Sequence, residues 1–248
     1  MITDVGIDMD GVLYPFVPAF KHYCEVRMQK FDLPDPTHWY FYEDWGMDEK
    51  QFNEWLKDAC RTDRVFAWMP PAPDAVASFK KLRNMGVKIH ILTHRITDSW
   101  AQTAEWLEKY DLVPDSLHFG PNKNILKEIA TDECAILDDH IPFIQSAEQA
   151  GIKAYVLKHP WNEGHSDLQY VHSIYDFASH IAEYNKIKLF KTLPQSQFGY
   201  PFEGVEQPKN FQMQKYQKLL NDLYKQGHYT IDIKKYRDQQ YPWGQNEY

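Results

Sequence analysis

Short apolar segments with the character of buried strands recur along the first part of the chain, and each ends in polar residues. The first contains Ile2, Val5 and Ile7 and stops at Asp8, and Gly11 then allows the backbone to turn sharply. Three more such segments lie at residues 87–92, 116–119 and 134–137. Each is bounded by turn-forming or polar residues, so the pattern predicts four strands.

Helical stretches alternate with these strands. They lie at residues 74–85, 99–110, 123–130 and 142–150. Gly86 and Gly151 follow the first and the last of them, where glycine commonly ends a helix. Alternation of strands and helices with short connections predicts an α/β fold, a Rossmann-like parallel sheet with helices on both faces.

The polar residues that follow the strands are the candidates for chemistry. They are Asp8 and Asp10 after the first strand, Thr93 and His94 after the second, Lys123 after the third, and Asp138 and Asp139 after the fourth. Each group alone is also typical of a solvated turn, a surface lysine or a helix cap. Because ligands bind at the carboxyl ends of strands in open α/β sheets, their joint occurrence in order favours a functional site.

At this point the sequence resembles the haloacid dehalogenase superfamily of phosphohydrolases, and within it the 5′(3′)-deoxyribonucleotidase branch. The resemblance covers residues 1–157 and depends on the GIDMDGVL segment at residues 6–13 together with Thr93, Lys123 and the Asp138–Asp139 pair. Phe16 and the HPWN run at residues 159–162 also look like the nucleotidase branch.

The resemblance implies a role for each motif residue. Asp8 would be the nucleophile and Asp10 the general acid and base. Thr93 and Lys123 would bind the phosphoryl group, with His94 beside them. His94 is a departure, since the family usually has a small residue such as serine there.

A phosphate monoester is dianionic, so an attacking carboxylate needs a cation to neutralise the charge between them. Mg²⁺ prefers oxygen ligands and is usually held by one or two carboxylates and substrate phosphate. We expect Asp8, the backbone carbonyl of Asp10 and one of Asp138 and Asp139 to hold it. Neighbouring side chains at a strand end point to opposite sides, and the family pattern favours Asp139 as the direct ligand, with Asp138 orienting Lys123 or a metal-bound water.

About sixty residues between the first motif and the helix at residue 74 are not needed by the core, and we expect them to form a small helical cap. The segment is rich in Phe, Trp and Tyr. Most of these rings must form the core of the cap, but some should line a pocket, because aromatic rings stack on nucleobases. Phe16 is the preferred stacking candidate, and Phe66 and Trp68 are weaker ones.

The predicted domains are a core of residues 1–13 and 72–184, a cap of residues 14–71 and a C-terminal extension of residues 185–248. In the extension, residues 209–226 read as a helix with an apolar stripe, and Tyr229, Ile231 and Ile233 could add an edge strand. The stripe would pack on the core, form a homodimer contact or bind a partner.

Composition limits the remaining possibilities. The net charge is −8, but residues 185–248 contain ten Lys/Arg against six Asp/Glu, so the acidic excess lies in the preceding part. An acidic body disfavours long nucleic-acid substrates. Three cysteines without a pattern suit a reducing compartment, and we expect neither a signal peptide nor a membrane span, hence a cytoplasmic protein. The histidines match no compact zinc spacing.

We therefore expect a Mg²⁺-dependent phosphomonoester hydrolase, a 5′-nucleotidase that acts on small (deoxy)nucleoside monophosphates through an aspartyl-phosphate. The alternatives are a phosphatase for another small phosphomonoester or a nucleic-acid 3′ end, and a catalytically silent binding protein on the same fold.

Overall fold

The core of the protein is a six-stranded parallel sheet. The computed structural model describes residues 1–120 and 122–192. The strands lie in the order β3-β2-β1-β4-β5-β6. Their bounds are β1 Ile2–Ile7, β2 Lys88–Thr93, β3 Ser116–Phe119, β4 Glu133–Asp138, β5 Lys153–Leu157 and β6 Tyr170–Val171. The predicted parallel α/β sheet and its four predicted strands are confirmed.

Seven α-helices and three short 3₁₀ helices occur in the described residues. The α-helices are α1 Phe16–Met28, α2 Glu49–Arg61, α3 Ala75–Asn84, α4 Trp100–Lys109, α5 Ile125–Ile129, α6 Ile141–Gln149 and α7 Ile174–Thr192. The 3₁₀ helices are Val65–Ala67, Thr97–Ser99 and Pro160–Asn162. Helix α5 begins two residues later than predicted, so Lys123 lies in the turn before it.

Both faces of the sheet are covered by helices. Along β4, Ala135 and Leu137 belong to one hydrophobic cluster, while Cys134 and Ile136 belong to the other. Strands buried on both faces need apolar side chains at consecutive positions, which explains why this segment reads as an uninterrupted apolar run.

The register of the sheet brings the predicted motif residues to one edge. Ile7 at the end of β1 pairs with Ile91 on one side and with Leu137 on the other. Since the strands are parallel, Asp8 and Asp138 leave neighbouring strands at the same level.

The long insertion leaves and returns at adjacent points of the core. The backbone N–H of Ala72 donates to the carbonyl of Leu13 at 2.9 Å, so the two ends of the insertion at residues 14–71 lie side by side. Aromatic rings pack against one another inside it, with Phe20 within 5.3–6.2 Å of Phe16, Phe52 and Trp45. Phe20 and Trp45 belong to the same hydrophobic cluster as Val5 and Ile7 of β1, so the insertion packs continuously with the core.

Helix α7 continues past residue 184, where we expected the core to end. The side chain of Asn185 accepts a hydrogen bond from the N–H of Ile2 at 2.7 Å and donates to its carbonyl at 2.8 Å. The compact unit accordingly extends to Thr192. The predicted helix at 209–226 and strand near 229–233 lie outside the described residues. Among the described helices, none has the length and apolar character needed to cross a membrane.

Candidate active site

Three buried carboxylates meet at the carboxyl edge of the sheet. Asp8 follows β1, Asp138 ends β4 and Asp139 comes next, and each offers an oxygen within 4.8 Å of the others. The adjacency of β1 and β4 brings together residues that are 130 positions apart in the sequence. The structure thus assembles three of the four predicted acidic residues into one cluster.

Lys123 lies between two of these carboxylates. Its Nζ donates to Asp8 Oδ1 and to Asp138 Oδ2, both at 2.6 Å, and the lysine is 4% exposed. Burial by itself lowers the pKa of Lys123, but Asp138 and Asp8 outweigh it and raise the pKa above the ordinary value. The lysine is therefore cationic and fixes the orientation of the Asp8 carboxylate.

One lysine does not balance the charge of the cluster. Burial raises the pKa of Asp8 to about 7 despite the opposing effect of Lys123, and Asp138 and Asp10 add to the increase. Burial, followed by repulsion from Asp138 and Asp8, also raises the pKa of Asp139 well above its ordinary value. A buried excess of carboxylate oxygens fits a hard divalent cation, because these are the ligands that Mg²⁺ prefers.

Asp138 and Asp139 have different hydrogen-bond partners. Asp138 accepts from Lys123 and from the N–H of His140 at 3.0 Å. The contact with Lys123 is the one that an orienting role requires, and that role stays a prediction. Asp139 accepts from Trp161 Nε1 at 3.0 Å. Its assignment as the direct metal ligand stays a prediction.

The Pro160–Asn162 turn packs next to Asp139 and forms a hydrogen bond with its backbone. Asn162 is buried, and its Nδ2 donates to the carbonyls of Asp139 at 2.9 Å and Leu157 at 2.8 Å. His159 Nε2 lies 2.6 Å from the carbonyl oxygen of Gly11. The HPWN run noted in the sequence thereby joins the loop after β1 to the loop after β4.

Asp10 lies in the turn after β1 and is bound by a residue for which the sequence indicated no role. Arg95 donates from Nε to Asp10 Oδ2 at 2.9 Å and from Nη2 to Oδ1 at 2.6 Å. Asp10 is paired with this guanidinium and is not part of the three-carboxylate cluster. The only sequence signal for this contact was the position of Arg95 directly after a strand end.

The two predicted residues before Arg95 have different environments. Thr93 is 1% exposed, and its hydroxyl accepts a hydrogen bond from the N–H of Arg95 at 3.2 Å, which shapes the loop after β2. His94 is exposed and meets the ring of Phe143 edge-on at 5.6 Å. Partial burial of its ring, and then Lys123, lower the pKa of His94. The phosphate-binding roles of both residues stay predictions.

Among the rings of the insertion, Trp39 lies next to His140 beside the site, and the stacking role of Phe16 stays a prediction. Phe16 stacks on Phe20 at 5.6 Å and lies 6.1 Å from Phe66, inside the packing of the insertion. Trp39 is 40% exposed and lies with its ring centroid 4.0 Å from that of His140, two residues after Asp138. The sequence offered no reason to select Trp39 from the many rings in the insertion.

His140 and Phe143 form the wall next to Lys123. The two rings lie edge-on at 4.7 Å, and Lys123 Nζ lies 4.6 Å from the centroid of Phe143. Burial lowers the pKa of His140 to about 4, so it is neutral at pH 7. Its Nδ1 is buried and has no hydrogen-bond partner among the described residues.

Comparisons with known proteins agree with this architecture. No family model matches the chain. A protein of Chlorobaculum tepidum provisionally named 5′(3′)-deoxyribonucleotidase is 25% identical over 117 residues, which are 44% of this chain and 57% of that protein. The match thus spans little more than half of the relative's length.

Solved structures share the fold at low sequence identity. The haloacid dehalogenase-like hydrolase SP0104 of Streptococcus pneumoniae superposes with a TM-score of 0.53 at 13% identity, covering 73% of this chain and 98% of that one. A Bacteroides fragilis protein provisionally described as a haloacid dehalogenase-like hydrolase gives 0.53 at 14% identity, covering 71% and 100%. The fold is therefore that of the haloacid dehalogenase-like hydrolases, as the sequence resemblance implied.

Proposed function

We propose that the protein is a Mg²⁺-dependent phosphomonoester hydrolase that acts on small (deoxy)nucleoside monophosphates. The observation that carries the proposal is the placement of Lys123 between Asp8 and Asp138, with Asp139 in the same buried cluster. A cation beside a buried carboxylate at a sheet edge provides both a nucleophile and a counter-charge for a phosphoryl group.

In the first step, an oxygen of Asp8 attacks phosphorus and the bond from phosphorus to the ester oxygen breaks. The leaving alcohol takes a proton from Asp10, and an aspartyl-phosphate remains on Asp8. Lys123 contributes by holding Asp8 Oδ1 and by balancing charge on the transferring group. Thr93 is proposed to bind a phosphoryl oxygen.

In the second step, water attacks the phosphorus of the aspartyl-phosphate. Asp10 takes the proton that this water loses, phosphate leaves and the Asp8 carboxylate is restored. Asp10 therefore returns to the protonation state from which it began, which is why a single residue can serve both steps.

Asp8 and Asp139 would hold Mg²⁺, together with the backbone of Asp10, and Asp138 would act through Lys123. The bound ion would neutralise the charge between the carboxylate nucleophile and the substrate dianion. The protein supplies a buried cluster in which the carboxylates repel one another. Their oxygens are the ligands that Mg²⁺ prefers.

Two observations support a nucleotide as the substrate. Exposed Trp39 beside His140 offers an aromatic surface at the edge of the cluster, and a base can stack on such a ring for about 1–3 kcal/mol. The C. tepidum relative carries the name of a deoxyribonucleotidase. On this proposal residues 14–71 act as the cap, the location is cytoplasmic, and the C-terminal extension provides a homodimer contact.

The test is phosphate release from a panel of nucleoside monophosphates, sugar phosphates and 3′-phosphorylated oligonucleotides, with Mg²⁺ and with EDTA. We expect Mg²⁺-dependent release from nucleotides, loss of release in Asp8→Asn, and a phosphorylated Asp8 in acid-quenched wild-type protein by mass spectrometry. Asp132→Asn, which changes an exposed acid bound to the N-terminus, serves as the matched control and should keep its activity.

Each alternative predicts a different result. Release from non-nucleotide esters only would indicate another small phosphomonoester, and release from oligonucleotides only would indicate a nucleic-acid end. If no phosphate were released and Asp8→Asn left ligand binding unchanged, the protein would be a silent binding module, and the hydrolase proposal would be wrong.

A further inference from the structure

The contact between Arg95 and Asp10 has a consequence for the proposed reaction, on which this inference rests. We propose that Arg95 is a positioning residue that holds the Asp10 carboxylate in the orientation needed to accept a proton from the attacking water. Both oxygens of Asp10 are engaged, at 2.9 and 2.6 Å, by two nitrogens of one planar guanidinium. A paired contact of this kind fixes the plane of the carboxylate as well as its position.

Arg95 is itself fixed on every side that the structure describes. Its side chain is fully buried, and Nη1 donates to the Thr103 hydroxyl at 2.9 Å. The guanidinium carbon lies 4.0 Å from the Phe66 ring centroid and 4.9 Å from that of Tyr14. A buried arginine held in this way cannot reach into an open cleft, so it acts on the reaction through Asp10.

Asp10 needs such a partner because of its position. It lies in the turn after β1, outside the sheet, and its side chain is 25% exposed. Asp8, by contrast, is held by Lys123 and is buried. A general base must stay within hydrogen-bond reach of the proton it removes, so an unanchored Asp10 would lose the required geometry.

Asp10 with both oxygens bound by Arg95 corresponds to the phosphoenzyme stage of the proposed reaction. After Asp10 has given its proton to the leaving alcohol, it is a carboxylate and can accept both Arg95 bonds. The next proton comes from the water that attacks the aspartyl-phosphate. Loss of Arg95 should therefore slow hydrolysis of the phosphoenzyme, and the phosphoenzyme should accumulate.

The experiment measures p-nitrophenyl phosphate turnover by stopped flow and in the steady state. For Arg95→Gln we expect kcat to fall about 100-fold, as is typical when a reacting group is misplaced by about 1 Å. Because slow hydrolysis of the phosphoenzyme lowers KM in parallel, kcat/KM should change little. A burst of p-nitrophenol close to one equivalent should precede the slow phase. Arg95→Lys, which can restore one hydrogen bond, should recover part of the loss.

A double-mutant cycle with Asp10→Asn decides whether Arg95 acts through Asp10. If it does, adding Arg95→Gln to Asp10→Asn should change kcat by less than about twofold, since the two groups form one unit. Full additivity of the two losses would overturn the proposal. So would a weaker inhibition by inorganic phosphate with kcat retained, which would make Arg95 a substrate-binding residue.

Control variants distinguish the loss of the Arg95 contact from a failure to fold and from a failure of the proposed function. Arg61→Lys changes an exposed arginine that pairs with Asp98 and should leave turnover unchanged. Thermal unfolding identifies variants that fail to fold. If Arg95→Gln does not fold, Thr103→Val replaces it in the test, because it removes the hydroxyl to which Arg95 Nη1 donates. We then expect a burst of p-nitrophenol that is smaller than one equivalent. Full activity in Asp8→Asn would contradict the proposed function itself, independently of Arg95.

Discussion

Gly11 lies where the backbone passes close to Asp139. Its φ is +84°, and a Cβ atom placed there would lie 2.2 Å from Asp139 Oδ2. We predict that Gly11→Ala abolishes phosphate release, because Asp139 must move, and that it also costs about 1–2 kcal/mol from the left-handed backbone. Phosphate release and urea unfolding check both effects.

Gly86→Ala is the matched control for this substitution. Gly86 has a similar φ of +72°, but a Cβ there would meet no atom within 4 Å. This variant should lose a similar amount of backbone stability and keep its activity. If Gly11→Ala were as active as Gly86→Ala, the close approach to Asp139 would not matter for the reaction.

The second prediction for a single residue concerns Lys123. Lys123→Met leaves the buried Asp8 and Asp138 without their counter-ion, and breaking a buried pair typically costs about 3–5 kcal/mol. We expect a large drop in the free energy of unfolding at neutral pH, measured with urea, and no phosphate release. Exposed Lys50, paired with Glu54, gives the control Lys50→Met, which should change little. Equal stability of the two variants would contradict this account.

The same residues show what a sequence can predict about a site. Asp8, Lys123 and Asp138 were found because each follows an apolar strand, and parallel strands bring such positions to one edge. Arg95 and Trp161 were missed as partners because their contacts depend on side-chain direction across loops, which no periodicity encodes. The position of Trp39 beside His140 was not predicted for the same reason, since spacing along the chain does not show which ring lies next to the site.

At the scale of elements, the Pro160–Asn162 turn joins two loops of the site. Asn162→Ala would leave the carbonyls of Asp139 and Leu157 and the N–H of His159 without this partner, at about 1–3 kcal/mol for each buried group. We predict a lower melting temperature and weaker Mg²⁺ binding, because Trp161 and Asp139 shift together. Calorimetric titration with Mg²⁺ measures the second effect.

Asn53→Ala, on the exposed side of α2, is the control for this turn and should alter neither quantity. Trp161→Phe removes only the bond to Asp139 and should weaken Mg²⁺ binding with a smaller loss of stability. Unchanged Mg²⁺ affinity in both site variants would mean that the turn does not position Asp139.

The four predicted strands and the helices between them were predictable because burial imposes a pattern on them. Strands covered on both faces require continuous apolar runs, and amphipathic helices between them require polar residues at regular intervals. The two-residue strand β6 carries too little of such a pattern to be recognised. The core was expected to end at residue 184, and helix α7 was not among the predicted helices. Contacts such as that of Asn185 with Ile2 join the later part of this helix to β1.

For the whole molecule, the carboxylate cluster couples folding to pH and to metal. Burial raises the pKa of Asp8 from 3.8 to about 7, so between these values the folded protein binds more protons than the unfolded chain. The contribution of Asp8 to stability without metal should therefore be greatest on the acidic side and fall as pH rises through this window, whereas His140, whose pKa burial lowers to about 4, contributes in the opposite direction. Mg²⁺ binds the ionised carboxylates, so its stabilising effect should grow over the same range.

Thermal unfolding in EDTA and in Mg²⁺, between about pH 5 and about pH 8, measures both trends. We expect the difference in melting temperature between the two conditions to widen as pH rises, and to narrow in Asp8→Asn, which removes one titrating carboxyl from the cluster. Asp132→Asn, remote from the cluster, should behave like the wild type at every pH. A difference that does not depend on pH would mean that Mg²⁺ acts elsewhere on the protein. In EDTA, the same pH dependence of the melting temperature in the wild type and in Asp8→Asn would contradict the raised pKa of Asp8.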